Sequence, residues 1–172
     1  MAYTLEQFAA DCRAALMKDP GPKGREEVRK CVERATSDPE FVAKHLGPDN
    51  DAERTVIYED PDLHFCICAH VYKGARGSTP HDHGPSWAIY GQATGVTEMT
   101  DWRCVERPKD GKPGKVAKVK TYPLTPGVAH LYNERDLHSP SRKSDTRLIR
   151  IEGVNLWGMK RDKYEAADEV TA

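Results

Sequence analysis

The sequence predicts a mainly β protein, a β-sandwich or barrel preceded by a small α-helical section. Three observations predict it. Apolar residues recur at helical spacing up to about residue 44, and from about residue 54 the pattern shifts to strand-like alternation. Short β-patterned runs are then separated at regular intervals by Gly- and Pro-rich turns. The chain has 172 residues, enough for one domain with a real core, and shows no internal repeat or low-complexity tract. The expected layout is a single domain, with helices over 1–50, a β-barrel over 54–157 and a loose polar tail over 158–172.

The first helix is expected over 4–18. Thr4 is its N-cap, and Leu5, Phe8, Ala9, Cys12, Ala15 and Leu16 form its apolar stripe. Asp19 to Gly24 reads as a linker. A second helix follows at 25–35 on Val28, Cys31, Val32 and Ala35. Ser37-Asp38-Pro39 caps a third that runs to Lys44. Cys12 and Cys31 fall on apolar stripes, so packing is their expected role.

Strands are expected at Arg54–Tyr58 and His64–Tyr72. The second carries His64, Cys66, Cys68, His70 and Tyr72 on one face and Phe65, Ile67, Ala69 and Val71 on the other. Cys66, Cys68 and His70 could form a metal set, but a strand buried on both faces is the simpler reading. Further strands are expected at Ser86–Tyr90, Val96–Val105 and Lys115–Tyr122, the last two joined by a hairpin loop over 107–114. Ala129–Tyr132, Asp136–Ser139 and Arg147–Leu156 complete the set.

Charge and composition exclude some functions. A formal net charge of -1 gives no electrostatic case for nucleic acid or an anionic membrane. With a mean hydropathy of -0.73, no apolar run approaches a membrane span. The first six residues lack a basic region followed by an apolar one, so no secretory signal is expected. Five scattered cysteines read as reduced thiols in a cytoplasmic protein.

The chemistry is expected in Gly77-Ser78-Thr79-Pro80-His81-Asp82-His83-Gly84-Pro85-Ser86-Trp87. In an extended chain, His81 and His83 point to one face and Asp82 to the other, so two imidazoles can converge on a metal ion. A catalytic site commonly needs a third ligand, and both His130 and His138 start return strands; spacing does not choose between them. His45, far upstream, is read as a surface residue. Three neutral imidazoles suit divalent iron, nickel, copper or zinc.

A Pro-x-His-x-His pattern in a β context with a later His resembles the cupin superfamily, and most closely the thiol dioxygenases related to cysteine dioxygenase. The resemblance covers most of the chain: the N-terminal helices, the strand ending at Tyr72, the Gly77–Gly84 stretch, Val96–Met99 with Trp102, Asn133–His138 and Leu148–Gly153. It implies a double-stranded β-helix, a jelly-roll barrel holding mononuclear Fe(II) on three histidines. His81 and His83 would be two ligands. His138 would be the third, because its Asn-then-Leu-His order matches the family; His130 also fits a general cupin motif, Pro-Gly-x-x-His. Small-molecule substrate and O2 are the implied partners, with a monomer or homo-oligomer as the assembly.

Two departures from the family stand out. No carboxylate follows the His pair, where Ser86, Trp87, Ala88 and Ile89 occur, which agrees with a three-His subgroup. The family's Ser-x-His-x-Tyr triad is replaced by Leu148, Arg150 and Glu152, and its crosslinked Cys by about Ala88, so cysteine itself is a doubtful substrate. On the last strand, Arg150 would bind a substrate carboxylate and Glu152 would orient it, unless the two form an exposed pair on a wet face. Arg54 is an alternative anchor. Tyr72 resembles a cavity aromatic; Tyr58, Trp87 and Tyr90 could line the pocket or fill the core. The expected activity is dioxygenation of a small, carboxylate-bearing substrate, a thiol or an enol. The competing readings are a three-His cupin dioxygenase cleaving a carbon–carbon bond in a diketone or hydroxylated aromatic acid, an O2-independent metal-dependent lyase or isomerase, and a non-enzymatic ligand-binding cupin.

Overall fold

The computed structural model describes residues 1–167. Three helices lead: α1 (Leu5–Lys18), α2 (Pro22–Ser37) and α3 (Pro39–Leu46). Ten strands follow: β1 (Arg54–Glu59), β2 (Cys66–Tyr72), β3 (Arg76–Gly77), β4 (Ala88–Thr94), β5 (Thr97–Glu106), β6 (Gly114–Leu124), β7 (Ala129–Tyr132), β8 (Leu137–Arg142), β9 (Thr146–Glu152) and β10 (Tyr164–Ala166).

Thr4 and Gln7 close a reciprocal capping box that starts α1. Asp38 caps α3 by accepting from the backbone N–H groups of Glu40 and Phe41. The second half of the expected linker over 19–24 is helix, because α2 begins at Pro22, where a missing N–H costs nothing. Gly24 then sits in the first turn against the chain that enters it: a Cβ there would lie 1.6 Å from the Asp19 carbonyl oxygen. The glycine that reads as a breaker is an approach point for backbone.

The strands form two five-stranded sheets, ordered β1-β2-β9-β4-β7 and β10-β6-β5-β8-β3. Their pairings are antiparallel except for β10 beside β6. The helices bury Phe8, Cys12, Val28 and Val32 with Phe65, Ile67, Ile89 and Ile149 on one face of the first sheet. A smaller cluster, including Tyr90, Met99, Leu124, Tyr132 and Leu148, joins residues of both sheets. The mainly β architecture with a helical N-terminal part is therefore as expected.

β2 is buried on both faces, with Ile67 and Ala69, and Phe65 just before them, toward the helices. It starts at Cys66, later than expected, because His64 takes a left-handed turn conformation, φ 64°. The expected loose tail is corrected in part. Tyr164–Ala166 pair with Gly114–Val116, and Tyr164 is buried beside Val116 and Leu137. An aromatic with an apolar pocket to fill orders a segment whose average composition is polar. Residues 168–172 of that tail lie outside the described residues.

Candidate metal centre

The histidines meet where the β3–β4 connection crosses β8. His81 exchanges both backbone hydrogen bonds with His138, each 3.0 Å. Asp82 turns away and accepts from the Gly84 N–H at 2.8 Å, holding the reversal in which Gly84 takes φ 59°. The ligand atoms of His81, His83 and His138 all lie within 4.8 Å of one another, and all three residues are buried. His130 is not in this group. It lies half-buried on β7 between Tyr122 and Tyr132, with ring centroids 5.0 and 4.7 Å away.

The donor set fits a divalent transition metal. A carbonyl only accepts, so the Nδ1–H groups of His81 and His138 donate to Thr79 O at 2.8 Å and Asp136 O at 2.9 Å. That fixes both tautomers and leaves Nε2 as a bare lone pair on each ring. The His83 Nε2 lies 3.1 Å from that of His138. Burial pushes the His81 imidazole down to about 4. Burial, with the nearby Arg150 charge, also lowers His83; burial, with His81, lowers His138. All three rings are thus neutral near pH 7, the form that binds metal. This group could hold a metal ion, with no carboxylate among its donors.

Aromatic rings wall the centre. Tyr132 stacks on His138 at 3.9 Å between centroids. The Tyr90 hydroxyl lies 3.3 Å from His83 Nε2. Tyr90 therefore belongs to the site, whereas Tyr58 and Trp87 pack with the helix-side core.

Two cavities meet at Arg150. One, of about 220 Å³, is lined by His81, Tyr72, Tyr90, Arg142 and Arg150, with Arg76 at its rim. The other, of about 580 Å³, is lined by Arg54, His70, Arg150, Glu152, Leu156 and Trp157. The wet-face alternative for Arg150 and Glu152 is excluded, since both are buried. Arg150 Nε lies 3.2 Å from Glu152 Oε1, and its Nη2 lies 3.3 Å from His83 Nδ1. Arg54 pairs with Glu152 Oε2 at 3.1 Å and with Asn155 at 2.9 Å, so it stands behind Glu152 as its counter-charge.

The Tyr72 hydroxyl meets His70 Nδ1 at 2.9 Å, and the buried His70 Nε2 has no protein partner among the described residues. Cys66, Cys68 and Glu152 form a second group able to hold a metal. There the Cys66 and Cys68 sulfurs are 3.7 Å apart. Glu152, however, is already engaged by Arg54, Arg150 and the Leu156 N–H.

Sequence reasoning missed Arg142. It shares a strand face with His138 and Pro140, two alternations on, and period-2 spacing from the third histidine would have found it.

No protein-family model and no curated protein matches the chain. Among solved structures it is similar to KdgF from Halomonas sp., at 18% identity and TM-score 0.43, over 58% of this chain and 74% of that one. It is also similar to a cupin superfamily protein from Desulfitobacterium hafniense, at 10% identity and TM-score 0.43, over 59% and 76%. A third similar structure is a cupin-2 domain containing protein from Shewanella frigidimarina, at 14% identity and TM-score 0.44, over 64% and 89%.

Proposed function

We propose that this chain is a mononuclear non-haem Fe(II) dioxygenase of the thiol dioxygenase type, acting on a small carboxylate-bearing substrate. The observation that carries the reading is the meeting of three neutral imidazoles, without a carboxylate donor, beside a cavity lined by guanidinium groups. Fe(II) is the metal this reading assigns; another divalent transition metal would suit the same donors. Bound there, it would supply the Lewis acidity that acidifies a coordinating thiol and the redox chemistry that uses O2.

The chain's own residues do the rest. Arg150 offers a fork-shaped donor to a substrate carboxylate, and Arg142 lines the same cavity. Glu152 and Arg54 hold Arg150 in place from behind. Tyr72 and Tyr90 shape the pocket between anchor and imidazoles, and the Tyr90 hydroxyl reaches the ligand side of His83.

Anaerobic loading with Fe(II), followed by oxygen uptake with a panel of carboxylate-bearing thiols, tests the reading. One O2 consumed per sulfinate formed is the expected result. Bound iron with no uptake for any thiol would overturn it.

One observation favours a second reading, an O2-independent lyase or isomerase. His70 lines the larger cavity, neutral because burial lowers it, and its Nε2 has no partner among the described residues, so the ring is placed to hold a polar substrate group there. Turnover of a hydroxy or keto acid under argon, or with zinc in place of iron, would select it.

A further inference from the structure

Arg142 is the residue whose surroundings are hardest to explain by folding alone. Its side chain is buried, at 6% exposure, at the end of β8. Its Nε donates to Thr97 Oγ1 at 3.2 Å, and its guanidinium lies over the Tyr72 ring, 4.2 Å from the centroid. No carboxylate pairs with it among the described residues. Its remaining nitrogens are not sealed in protein, since none is among the buried atoms lacking a partner, and the residue lines the cavity that ends at His81.

A buried cation without a counter-ion is costly. This one also has a like neighbour: Arg150 lines the same cavity, over the Tyr90 ring at 5.2 Å. The charge count around these groups does not close. Across the two cavities Arg54, Arg142, Arg150 and the exposed Arg161 stand against one buried carboxylate, Glu152, which pairs with Arg54 and Arg150, so positive charge is in excess. Glu53, at the rim, is engaged by the exposed Arg76 at 2.6 Å. Two tyrosine faces soften the excess charge and do not cancel it.

We propose that Arg142 and Arg150 form a two-point anion site, so that the ligand of this cavity is a small acid carrying two anionic groups, such as a short dicarboxylate. The inference deepens the proposed function and rests on it for the cavity's being a substrate site. Arg150 takes the anionic group nearer the imidazoles, where its Nη2 already reaches His83. Arg142 takes the second, on the strand face it shares with His138 and Pro140. Volume agrees: about 220 Å³ accommodates an acid of a few carbons. Of the two arginines, Arg142 sets specificity, since Arg150 has Glu152 as a standing partner and Arg142 has none.

Binding to the metal-free full-length chain tests this without any turnover. Calorimetric titration would compare succinate and malonate with propionate, and mercaptosuccinate with 3-mercaptopropionate. The diacids are expected to bind at least about ten-fold more tightly than their monoacid partners. Arg142→Gln is expected to remove that preference while leaving monoacid affinity within about three-fold. It should also leave the melting temperature unchanged or raised, because it discharges a buried group. Arg142→Lys should retain part of the preference, having charge without the fork.

Equal affinity for mono- and diacids in the wild-type chain would overturn the proposal with no variant needed. So would an Arg142→Gln chain that keeps the diacid preference. Diacid selectivity with no thiol oxidised by the iron-loaded protein leaves the anion site standing and removes the dioxygenase reading. Thiol oxidation indifferent to a second charge does the reverse.

Discussion

Arg150 touches His83 and Glu152 at once, 3.3 Å from the imidazole Nδ1 and 3.2 Å from the carboxylate. One guanidinium therefore joins the histidine cluster to the acid end of the barrel. A guanidinium only donates, so in the metal-free protein His83 Nδ1 accepts and the ring proton sits on Nε2, facing the lone pair of His138 Nε2; a metal bound through Nε2 would move that proton to Nδ1 and break the Arg150 contact. Before metal binds, the contact helps to orient the ring without adding a ligand. Arg150→Gln is accordingly expected to keep wild-type metal content while weakening small-acid binding about ten-fold. Elemental analysis and a calorimetric titration on one preparation check both halves.

The third ligand can be decided by paired substitutions. His138→Ala is expected to lower metal affinity by at least about 100-fold, since it removes a donor. His130→Ala is expected to leave it unchanged, because that ring lies among Tyr122 and Tyr132 outside the donor cluster. Competition with a chromogenic chelator measures both. Equal loss in the two variants would reopen the assignment.

The metal-free protein should lose stability in mild acid. An unfolded His takes its proton near pH 6.5. Burial holds the folded His81 neutral until about pH 4. Between those values the unfolded chain binds more protons, so stability falls with falling pH, and the part due to His81 is fully lost below about pH 4. His81 alone accounts for on the order of 3 kcal/mol across that window. His83 and His138, lowered in the same direction, add to it. Thermal melts from pH 7 to pH 4 follow this directly, and a flat midpoint would contradict it.

The helical layer docks on the barrel at a glycine. A Cβ on Gly91 would lie 2.2 Å from Val32 Cγ1 and 3.2 Å from Thr36 Cγ2. Gly91→Ala must push α2 away from β4, at a cost of about 1–3 kcal/mol. The urea midpoint should fall accordingly, with metal content unchanged because the histidines lie on other segments.

The sequence made the histidine centre readable because its signals were local. His81 and His83 needed only strand alternation to converge, and the flanking Gly and Pro residues marked the reversal. The helical section was readable for the same reason, through Thr4, Pro39 and periodic apolar residues. Features that depend on distant contacts were not. Gly24 reads as a breaker until the Asp19 carbonyl is seen against it. Arg150 and Glu152 look the same on paper whether wet or buried, and only the pairing of β9 with β2 and β4 decides it. Arg142 lay past the point where β8 was expected to end, so its shared face with His138 went unread. Tyr164 gave no sign of its pocket, because Val116 and Leu137 are remote in sequence.

The short β10 strand has a consequence for how molecules of this protein meet one another. A sheet that ends on an unpaired strand offers free N–H and C=O groups to any extended chain nearby. β6 is such a strand, eleven residues long, and among the described residues β10 covers Gly114–Val116 of it. Beyond that cover the strand carries the exposed Lys118 and Lys120 on either side of an exposed Val119. A second copy approaching edge-on would bring its own ammonium groups against these before a ladder could form. Three ordered residues and a run of lysines thus guard the molecule against templated self-association, and a chain cut short before Tyr164 would lose the first of the two guards.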